Sequence, residues 1–358
     1  MGVFNDMLKS GESLIKNEIA LDYGYIPKLV PYRESQMRAI AASIKPLFQN
    51  RSGRNMFVYG PPGVGKTVAV KHLLKEIEEE SENITPFYIN CWQKNTAFKI
   101  LVEMCDIIGY KFIQNKRTEE LFAVLKQYLN KSERSAVFAF DEIDKIEDLD
   151  FIYNLLEDVF RKSVILITNY KEYVTELDER IKSRLTAEML EFQAYNLNET
   201  RGILKQRMEY AFVPGIWEED AVESIVQKTA KMSDIRSGLY MMKEAALIAE
   251  ERSSKKVNSS DVSTAMKKLD DFSIKKTEEL EDEVKFILKI IKDNTGKRIG
   301  EVYKTYQENG GKLVYKTFWR KINKLEEDKF ITTKKIEGGK EGKTTIINYG
   351  QEKKLTEF

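Results

Sequence analysis

Cysteine is scarce in this sequence, which has only Cys91 and Cys105 among its 358 residues. Neither has a partner at metal-ligand spacing, so both are expected to be buried thiols in a reducing cytosol. Long apolar runs are also missing, since no stretch approaches the ~20 residues that a membrane-spanning helix needs. The N-terminus lacks an export signal with a charged part followed by an apolar part. These absences predict a soluble cytoplasmic protein without a membrane segment.

The sequence has almost no net charge, because 58 Lys and Arg side chains are balanced by 57 Asp and Glu side chains. The balance is uneven along the chain: 18 basic and 13 acidic residues follow position 280, against 40 and 44 before it. A nucleic-acid contact is therefore expected first at the basic C-terminal end. An apolar content of 42% excludes wholesale disorder, and the length predicts two or three domains.

A glycine-rich segment at 60–67 is the most informative stretch of the sequence. It lies between an apolar run at 55–59 and a helical pattern that starts at Val68. Glycines allow successive backbone N–H groups to converge on an anion, and the following helix adds the positive end of its dipole. In the alternative interpretation, the segment is a surface turn whose sequence matches that of a phosphate-binding loop by chance. The predicted strand before the segment and the predicted helix after it argue against this alternative.

This loop predicts a nucleotide site with Mg²⁺. Lys66 is expected to reach the β- and γ-phosphates, and the Thr67 hydroxyl is expected to ligate the metal ion. The predicted phosphate-binding residues are Gly60, Pro61, Pro62, Gly63, Val64, Gly65, Lys66, Thr67 and Val68.

A second apolar run at 136–140 ends in the acidic pair Asp141 and Glu142. Its uninterrupted apolar character suits a strand buried on both faces of a parallel sheet. Ligands of open α/β sheets bind at the C-terminal ends of the strands, so the pair is expected beside the phosphates. Asp141 would hold a magnesium-bound water, and Glu142 would polarise the attacking water. A helix cap after the strand is the alternative interpretation.

Two more polar residues are candidates for the same site. Asn169 follows a β-branched run at 164–168, where it would reach between the γ-phosphate and the water aligned by Glu142; it is equally interpretable as a turn residue. Arg236 starts a helix in the all-helical segment 198–268. A helical lid beside a nucleotide can bring such an arginine onto the phosphates, and a surface ion pair is the rival interpretation.

Strands that alternate with helices predict the fold class, an α/β protein with a five-stranded parallel sheet between helical layers. The predicted strands lie at 55–59, 86–90, 136–140, 164–168 and 188–192. We predict four segments: a nucleotide-binding core at 1–195, a helical lid at 196–268, a linker at 269–281 and a winged-helix domain at 282–350.

The winged-helix prediction depends on three helical patterns at 284–293, 299–309 and 315–328, followed by two strands around a glycine-rich tip at 338–342. The third helix would enter the major groove of DNA, and the tip would bring lysines to phosphate or minor groove. Docking of a protein is the alternative use of such a domain. The predicted DNA contacts are Tyr315, Lys316, Thr317, Arg320, Lys340 and Lys343.

In its order of motifs the chain resembles the AAA+ replication initiators of the archaeal origin-recognition (Orc/Cdc-type) family over nearly its whole length. Residues 88–91 are similar to that family's second strand, and residues 315–320 with the glycine-flanked hairpin are similar to its DNA-reading unit. A third segment, at 30–34, is similar to the family's segment beside the adenine, which implies nucleotide binding by Val30, Pro31, Tyr32 and Arg33. A plain packing helix is the alternative interpretation of the pattern there.

The resemblance implies further contacts and two departures. In that family the insertion after the second strand touches DNA, which assigns a DNA contact to 96–116. In related ATPases that assemble, an arginine completes a neighbour's ATP site; Arg184 matches it, with Arg180 as second candidate, and pairing of Arg184 with Asp178 or Glu188 is the alternative. Ser233 stands where the family usually has glycine, and the first thirty residues offer few basic side chains.

The resulting hypothesis is an AAA+ ATPase that binds ATP or ADP with Mg²⁺ and switches its grip on double-stranded origin DNA by slow hydrolysis. The resemblance implies nucleoid association and a role in loading the replicative helicase, with self-association or other AAA+ subunits as further partners. The alternative is a loader, regulator or mobile-element ATPase whose winged helix docks a protein. A metabolic kinase is disfavoured because it would leave the winged helix without a task.

Overall fold

The computed structural model describes residues 13–131, 134–278, 282–311, 313–327, 330–337 and 343–349. The chain divides into two compact units, residues 1–266 and 267–358. The first unit contains the predicted core and lid, and the finer limits between the predicted segments stay predictions. None of the helices in the described residues has the length and apolar character of a membrane span.

Five parallel strands form the central sheet of the first unit: β1 Met56–Tyr59, β2 Ile84–Asn90, β3 Ser135–Asp141, β4 Lys162–Thr168 and β5 Glu188–Glu191. They lie in the order β2-β3-β4-β1-β5, which confirms the predicted five-stranded parallel sheet. The whole of β3 is buried, as its apolar sequence predicts. Asn90 is aligned with Asp141 and Tyr59 with Thr168, so the C-terminal ends of these strands meet at one edge.

Helices cover both faces of this sheet and continue into the lid. They are α1 Glu34–Ile44, α2 Lys66–Glu80, α3 Ala97–Ile107, α4 Thr118–Asn130, α5 Asp150–Asp158, α6 Tyr173–Glu176, α7 Glu179–Leu185, α8 Leu197–Ala211, α9 Glu219–Met232, α10 Ile235–Glu251 and α11 Ser259–Glu278. One apolar cluster joins α1 and α2 to the sheet through Ile40, Val70 and Val58. Another joins α3 and α4 to it through Leu101, Leu125 and Phe57. Alternate residues of β1 therefore point to opposite layers.

The linker predicted at 269–281 is helical up to Glu278, because α11 continues through it. Lysine and glutamate, which supply part of the charge of this stretch, are good helix formers even where an apolar stripe is weak. Charge alone therefore did not indicate where the helix ends.

Residues 13–27 are attached to the lid helices. The main-chain N–H groups of Lys16 and Asn17 donate to the Ala211 carbonyl at 2.9 and 3.0 Å. Arg207, buried on α8, donates to the carbonyl oxygens of Ala20 and Tyr25, at 3.3 Å in both cases. This segment is therefore an integral part of the lid.

After the end of α11, the described residues of the second unit form three helices and a small antiparallel sheet: α12 Asp282–Asp293, β6 Lys297–Arg298, α13 Ile299–Glu308, α14 Tyr315–Glu327, β7 Ile331–Glu337 and β8 Lys343–Tyr349. The sheet order is β6-β8-β7. Three helices followed by a hairpin is the order predicted for a winged helix, and only the two-residue β6 was not predicted. Phe318, Ile322 and Leu325 of α14 are fully buried in this unit's core.

Candidate nucleotide-binding site

A cavity of 510 Å³ opens at the C-terminal edge of the sheet, between the loop at 60–67, the segment at 23–31 and the lid helices α8 and α10. Small-molecule sites typically have volumes of about 300–1,000 Å³. Residues as far apart in the sequence as Tyr23 and Leu239 meet here. The predicted residues that line the cavity are Val30, Pro31, Pro62, Gly63, Val64, Gly65, Lys66, Thr67, Val68, Asp141, Glu142, Asn169 and Arg236.

The loop at 60–67 curls between β1 and α2 in a conformation that requires glycine. Gly63 has a φ of +75°, and a Cβ atom there would lie 2.0 Å from the Asp234 carboxylate of the lid. Gly65 has a φ of +87° and is the N-cap of α2, whose N-terminus faces the cavity. The positive end of the helix dipole and the free N–H groups of the first turn therefore point into the space where phosphates are expected.

Lys66 is the buried cation of the site. Its amine donates to the carbonyl oxygens of Gly60 and Pro61 at 2.6 and 2.8 Å and to Oδ1 of Asn169 at 2.9 Å. Gly60 and Pro61 thus hold Lys66 and do not themselves line the cavity. The structure brings Lys66, the first residue of α2, together with Asn169, which follows β4.

Asp141 is the centre of a second polar network. Its Oδ2 accepts hydrogen bonds from the Thr67 hydroxyl at 2.6 Å and the Tyr88 hydroxyl at 2.8 Å. Its Oδ1 accepts from the Glu142 N–H at 3.0 Å. A hydroxyl and a carboxylate side by side fit Mg²⁺, which binds few protein oxygens and keeps several waters.

Tyr88 was not among the predicted site residues. It lies on β2 and lines the cavity, with the Lys71 amine 4.2 Å from its ring centroid. Burial, followed by the Asp141 carboxylate, raises the pKa of Tyr88 far above its usual range, so the phenol stays a hydrogen-bond donor. No local signal in the sequence indicated this role, because the nearness of Tyr88 to Asp141 depends on the pairing of β2 with β3.

Glu142 follows Asp141 in a strained conformation. Its φ of 54° and ψ of 47° lie in the left-handed region, which non-glycine residues adopt rarely and often at functional sites. Its carboxyl lines the cavity. Burial, then the charges of Asp141 and Asp144, raises the pKa of Glu142. A raised pKa is the usual property of a carboxylate that must accept a proton near neutral pH.

Arg236 reaches the cavity from the lid and is also paired with Asp234. Its Nη2 lies 2.8 Å from Oδ2 of Asp234, and its Nε donates to Oδ1 at 3.0 Å. The same carboxylate caps α10. Arg236 therefore makes the ion pair that was the rival interpretation and also lines the cavity, and its contact with phosphates stays a prediction. Ser233 has a φ of 54°, so serine retains the left-handed backbone that the family's usual glycine would allow without strain.

The adenine segment implied by the resemblance reaches the cavity only in part. Val30 and Pro31 line it, whereas Tyr32 and Arg33 do not. Tyr32 lies against α8, where its hydroxyl would be 2.1 Å from a Cβ on Gly202. Arg33 is buried beneath the phosphate loop. The remaining wall on this side includes residues that sequence inspection missed, among them Tyr23, Ile26, Pro27, Ile203 and Leu239.

The two candidate arginines for a neighbour's site lie outside the cavity. Arg184 pairs with Glu157 of α5 at 2.7 Å and not with Asp178 or Glu188, the alternatives considered from sequence. Arg180 pairs with Asp178 at 3.1 Å. Glu157 was not foreseen because its nearness depends on the packing of α7 against α5.

The predicted DNA contacts lie mainly on α14 of the second unit. Tyr315, Lys316 and Arg320 are exposed, and Thr317 is partly exposed. Lys343 begins β8, and Lys340 lies outside the described residues. In the first unit the segment 96–116, which the resemblance assigns to DNA, contains α3 and a loop whose Phe112 is 78% exposed.

Comparison with known proteins agrees with this architecture. Residues 49–192 match the family model described as an AAA domain, and residues 201–267 match the Cdc6 AAA+ ATPase-type lid domain. The first match covers the loop and sheet, and the second covers the lid helices around Arg236.

Relatives match over almost the full chain. An ORC1-type DNA replication protein of Pyrococcus abyssi is 30% identical, with 96% of this chain and 89% of the relative aligned. The structure of the Aeropyrum pernix ORC1 protein in complex with DNA superposes with a TM-score of 0.70 at 25% identity and 95% coverage of both chains. The Aeropyrum pernix ORC2 protein, solved as ADPNP-ADP complexes, has a TM-score of 0.71 at 18% identity and 94% coverage of both chains. The chain therefore belongs to the family of ORC1-type DNA replication proteins and has the AAA+ ATPase core of that family.

Proposed function

We propose that this protein initiates DNA replication as an ATP-controlled binder of origin DNA. The observation that carries the proposal is the meeting of Lys66, Asp141 and the lid's Arg236 around one cavity. The names of its relatives and the DNA complex of the Aeropyrum pernix protein support the DNA-binding part. ATP or ADP with Mg²⁺ is the proposed ligand, which the ADPNP-ADP complexes of ORC2 also support.

The residues of the cavity divide the proposed chemistry among them. Lys66 and the N-terminus of α2 bind the β- and γ-phosphates. Thr67 and Asp141 hold Mg²⁺, which would neutralise phosphate charge when bound. Glu142 accepts the proton of the attacking water, and Asn169 orients that water against the γ-phosphate.

Lid and phosphate loop touch directly, which gives the nucleotide a route to control the lid. The Asp234 carboxylate is so close to Gly63 that only glycine fits there. Arg236, held by Asp234, would gain a phosphate partner when a triphosphate binds. The lid would thus sense the γ-phosphate, and its position would determine how well the protein engages DNA. Slow hydrolysis would end that state.

Assembly with other subunits is part of the proposal. Arg184 on α7 is half-exposed, with 53% of its side chain accessible, and its partner Glu157 is also accessible. An exposed ion pair is weak, so a neighbour's phosphate would compete for this arginine. An arginine supplied in this way accelerates hydrolysis strongly. A helicase partner and association with the nucleoid follow from the same proposed role.

The test is binding of the full chain to a panel of genomic DNA fragments, with ATP and with ADP, at one fixed salt concentration. We expect origin-containing fragments to bind more tightly than the others, and the affinity to differ between the two nucleotides. Equal binding to every fragment would contradict origin recognition. No DNA binding even at low salt would contradict the proposal and favour a protein-docking role for the terminal domain.

A further inference from the structure

Arg33 is a buried cation beneath the phosphate loop, with only 4% of its surface exposed. Its Nε donates to the Val64 carbonyl at 3.0 Å, and its Nη2 donates to the Gln193 carbonyl at 2.6 Å. Its guanidinium also stacks on the Tyr195 ring, 3.9 Å from the ring centroid. Burying a guanidinium is costly unless its donors are satisfied, so this arrangement favours a specific task for Arg33.

The contact with Val64 fixes the direction of the next N–H group. Val64 and Gly65 share one planar trans peptide, in which the C=O and N–H bonds point in opposite directions. Because the carbonyl of Val64 points inward to Arg33, the N–H of Gly65 points the other way, and Gly65 lines the cavity. That N–H belongs to the loop where phosphate oxygens are expected to bind.

The other contacts of Arg33 also restrain the peptide between Val64 and Gly65. Tyr195, under the guanidinium, places its hydroxyl 2.7 Å from the position of a Cβ on Gly65. Gln193 lies in the segment that follows β5, so Arg33 links the start of α1, the loop and the sheet edge. Gly65 on its own has wide backbone freedom, which this packing removes.

We propose that Arg33 is a positioning residue for phosphate binding, and that it does not contact the base. The proposal rests on the proposed nucleotide site and assigns Arg33 a different role from the one that the family resemblance implies. Arg33 selects the loop conformation in which the Gly65 N–H faces the phosphates. It therefore contributes to the binding of ADP and ATP and has no part in the binding of adenosine.

The test compares ADP and adenosine affinities of the wild type with those of Arg33→Lys and Arg33→Met. Lysine retains the charge but cannot donate to both carbonyls while stacking on Tyr195, and methionine retains only the volume. We expect each folded variant to lose about tenfold or more in ADP affinity, since bonds from a charged donor are lost. Adenosine affinity, measured by ligand-observed NMR, should stay within about twofold of wild type, because no phosphate contact is involved.

Arg38→Lys is the matched control, because Arg38 is exposed on the same helix α1 and does not line the cavity. Thermal melting without nucleotide shows which variants fold, and Arg33→Lys decides the outcome if Arg33→Met does not. Equal losses of ADP and adenosine affinity, or unchanged ADP affinity in a folded variant, would overturn the role of Arg33. A wild type that binds no ADP would instead overturn the proposed nucleotide site.

Discussion

Polar side chains are buried in the nucleotide site of the first unit and exposed on the proposed DNA-binding helix of the second. Lys66 and Asp141 each make several hydrogen bonds within the fold. Lys316 and Arg320 on α14 are exposed to solvent. Groups in a buried network depend on one another, whereas exposed cations contribute to DNA binding in small, nearly independent steps. Single substitutions should therefore have large effects in the first unit and small effects in the second.

The largest effect is expected for Glu142→Gln, which removes the proposed proton acceptor. Hydrolysis should fall by about 10²–10⁴-fold while ATP still binds.

The pH dependence of the wild type tests the same role. Hydrolysis should decline as the pH falls through the raised pKa of Glu142, because the protonated carboxyl cannot act as a base. Turnover and binding assays test both expectations, with the exposed Glu147→Gln as control. Unchanged hydrolysis would rule out Glu142 as the base.

Lys66→Ala should cause the next largest effect. Loss of this buried cation, which lines the proposed phosphate site, is expected to reduce ADP affinity by about hundredfold or more and to leave binding undetectable at ordinary concentrations. Isothermal titration calorimetry measures this loss. Lys75→Ala, on the same helix with 66% of its side chain exposed, is the control and should bind ADP like the wild type. A small change in ADP affinity in Lys66→Ala would contradict the expectation that single substitutions have larger effects in the first unit than in the second.

Tyr88→Phe should have an intermediate effect because it acts through Asp141. Without the hydroxyl that orients this carboxylate, the Mg²⁺ concentration needed for half-maximal hydrolysis should rise by about tenfold. A Mg²⁺ titration of the turnover rate measures it. Tyr173→Phe is the control, since that hydroxyl donates to the Ile143 carbonyl and not to Asp141. An identical Mg²⁺ dependence in wild type and Tyr88→Phe would show that Asp141 needs no such support.

The smallest effect is expected in the second unit. Arg320→Ala should lower the slope of log K against log salt by about 0.9, the value for one lost phosphate contact, and leave most of the DNA affinity at low salt. Fluorescence anisotropy at several salt concentrations measures the slope. Lys304→Ala is the control, as its side chain is 79% exposed on α13. Complete loss of DNA binding by Arg320→Ala would show that this surface is as interdependent as the nucleotide site.

The sequence was sufficient to predict the residues that lie at strand ends. Asp141, Glu142 and Asn169 each follow a buried apolar run, and parallel strands bring their C-terminal ends to one edge. The loop at 60–67 was predictable because its glycines and lysine have fixed spacing. These predictions needed only local patterns and the rule that parallel strands align.

Other features depend on packing between distant segments and were not predictable. The residue type of Arg33 and its position in the sequence do not show whether its guanidinium faces a ligand or the interior of the protein. The structure shows that Arg33 is buried in the interior. The role of Tyr88 depends on the register of β2 against β3. The pairing of Arg184 with Glu157 depends on how α7 meets α5. The attachment of residues 13–27 to the lid depends on their hydrogen bonds with Ala211 and Arg207, which join segments far apart in the sequence.

The attachment of residues 13–27 to the lid has a consequence for nucleotide exchange. Tyr23, Ile26 and Pro27 line the cavity, yet their segment is fastened through Arg207 and Ala211 to the lid helix α8. If that helix moved away from the sheet, the segment with Tyr23, Ile26 and Pro27 would move with it, whereas the loop at 60–67 would stay with the sheet. Nucleotide release would then be coupled to movement of the lid, and we expect a fragment that begins after residue 27 to exchange nucleotide without that restraint.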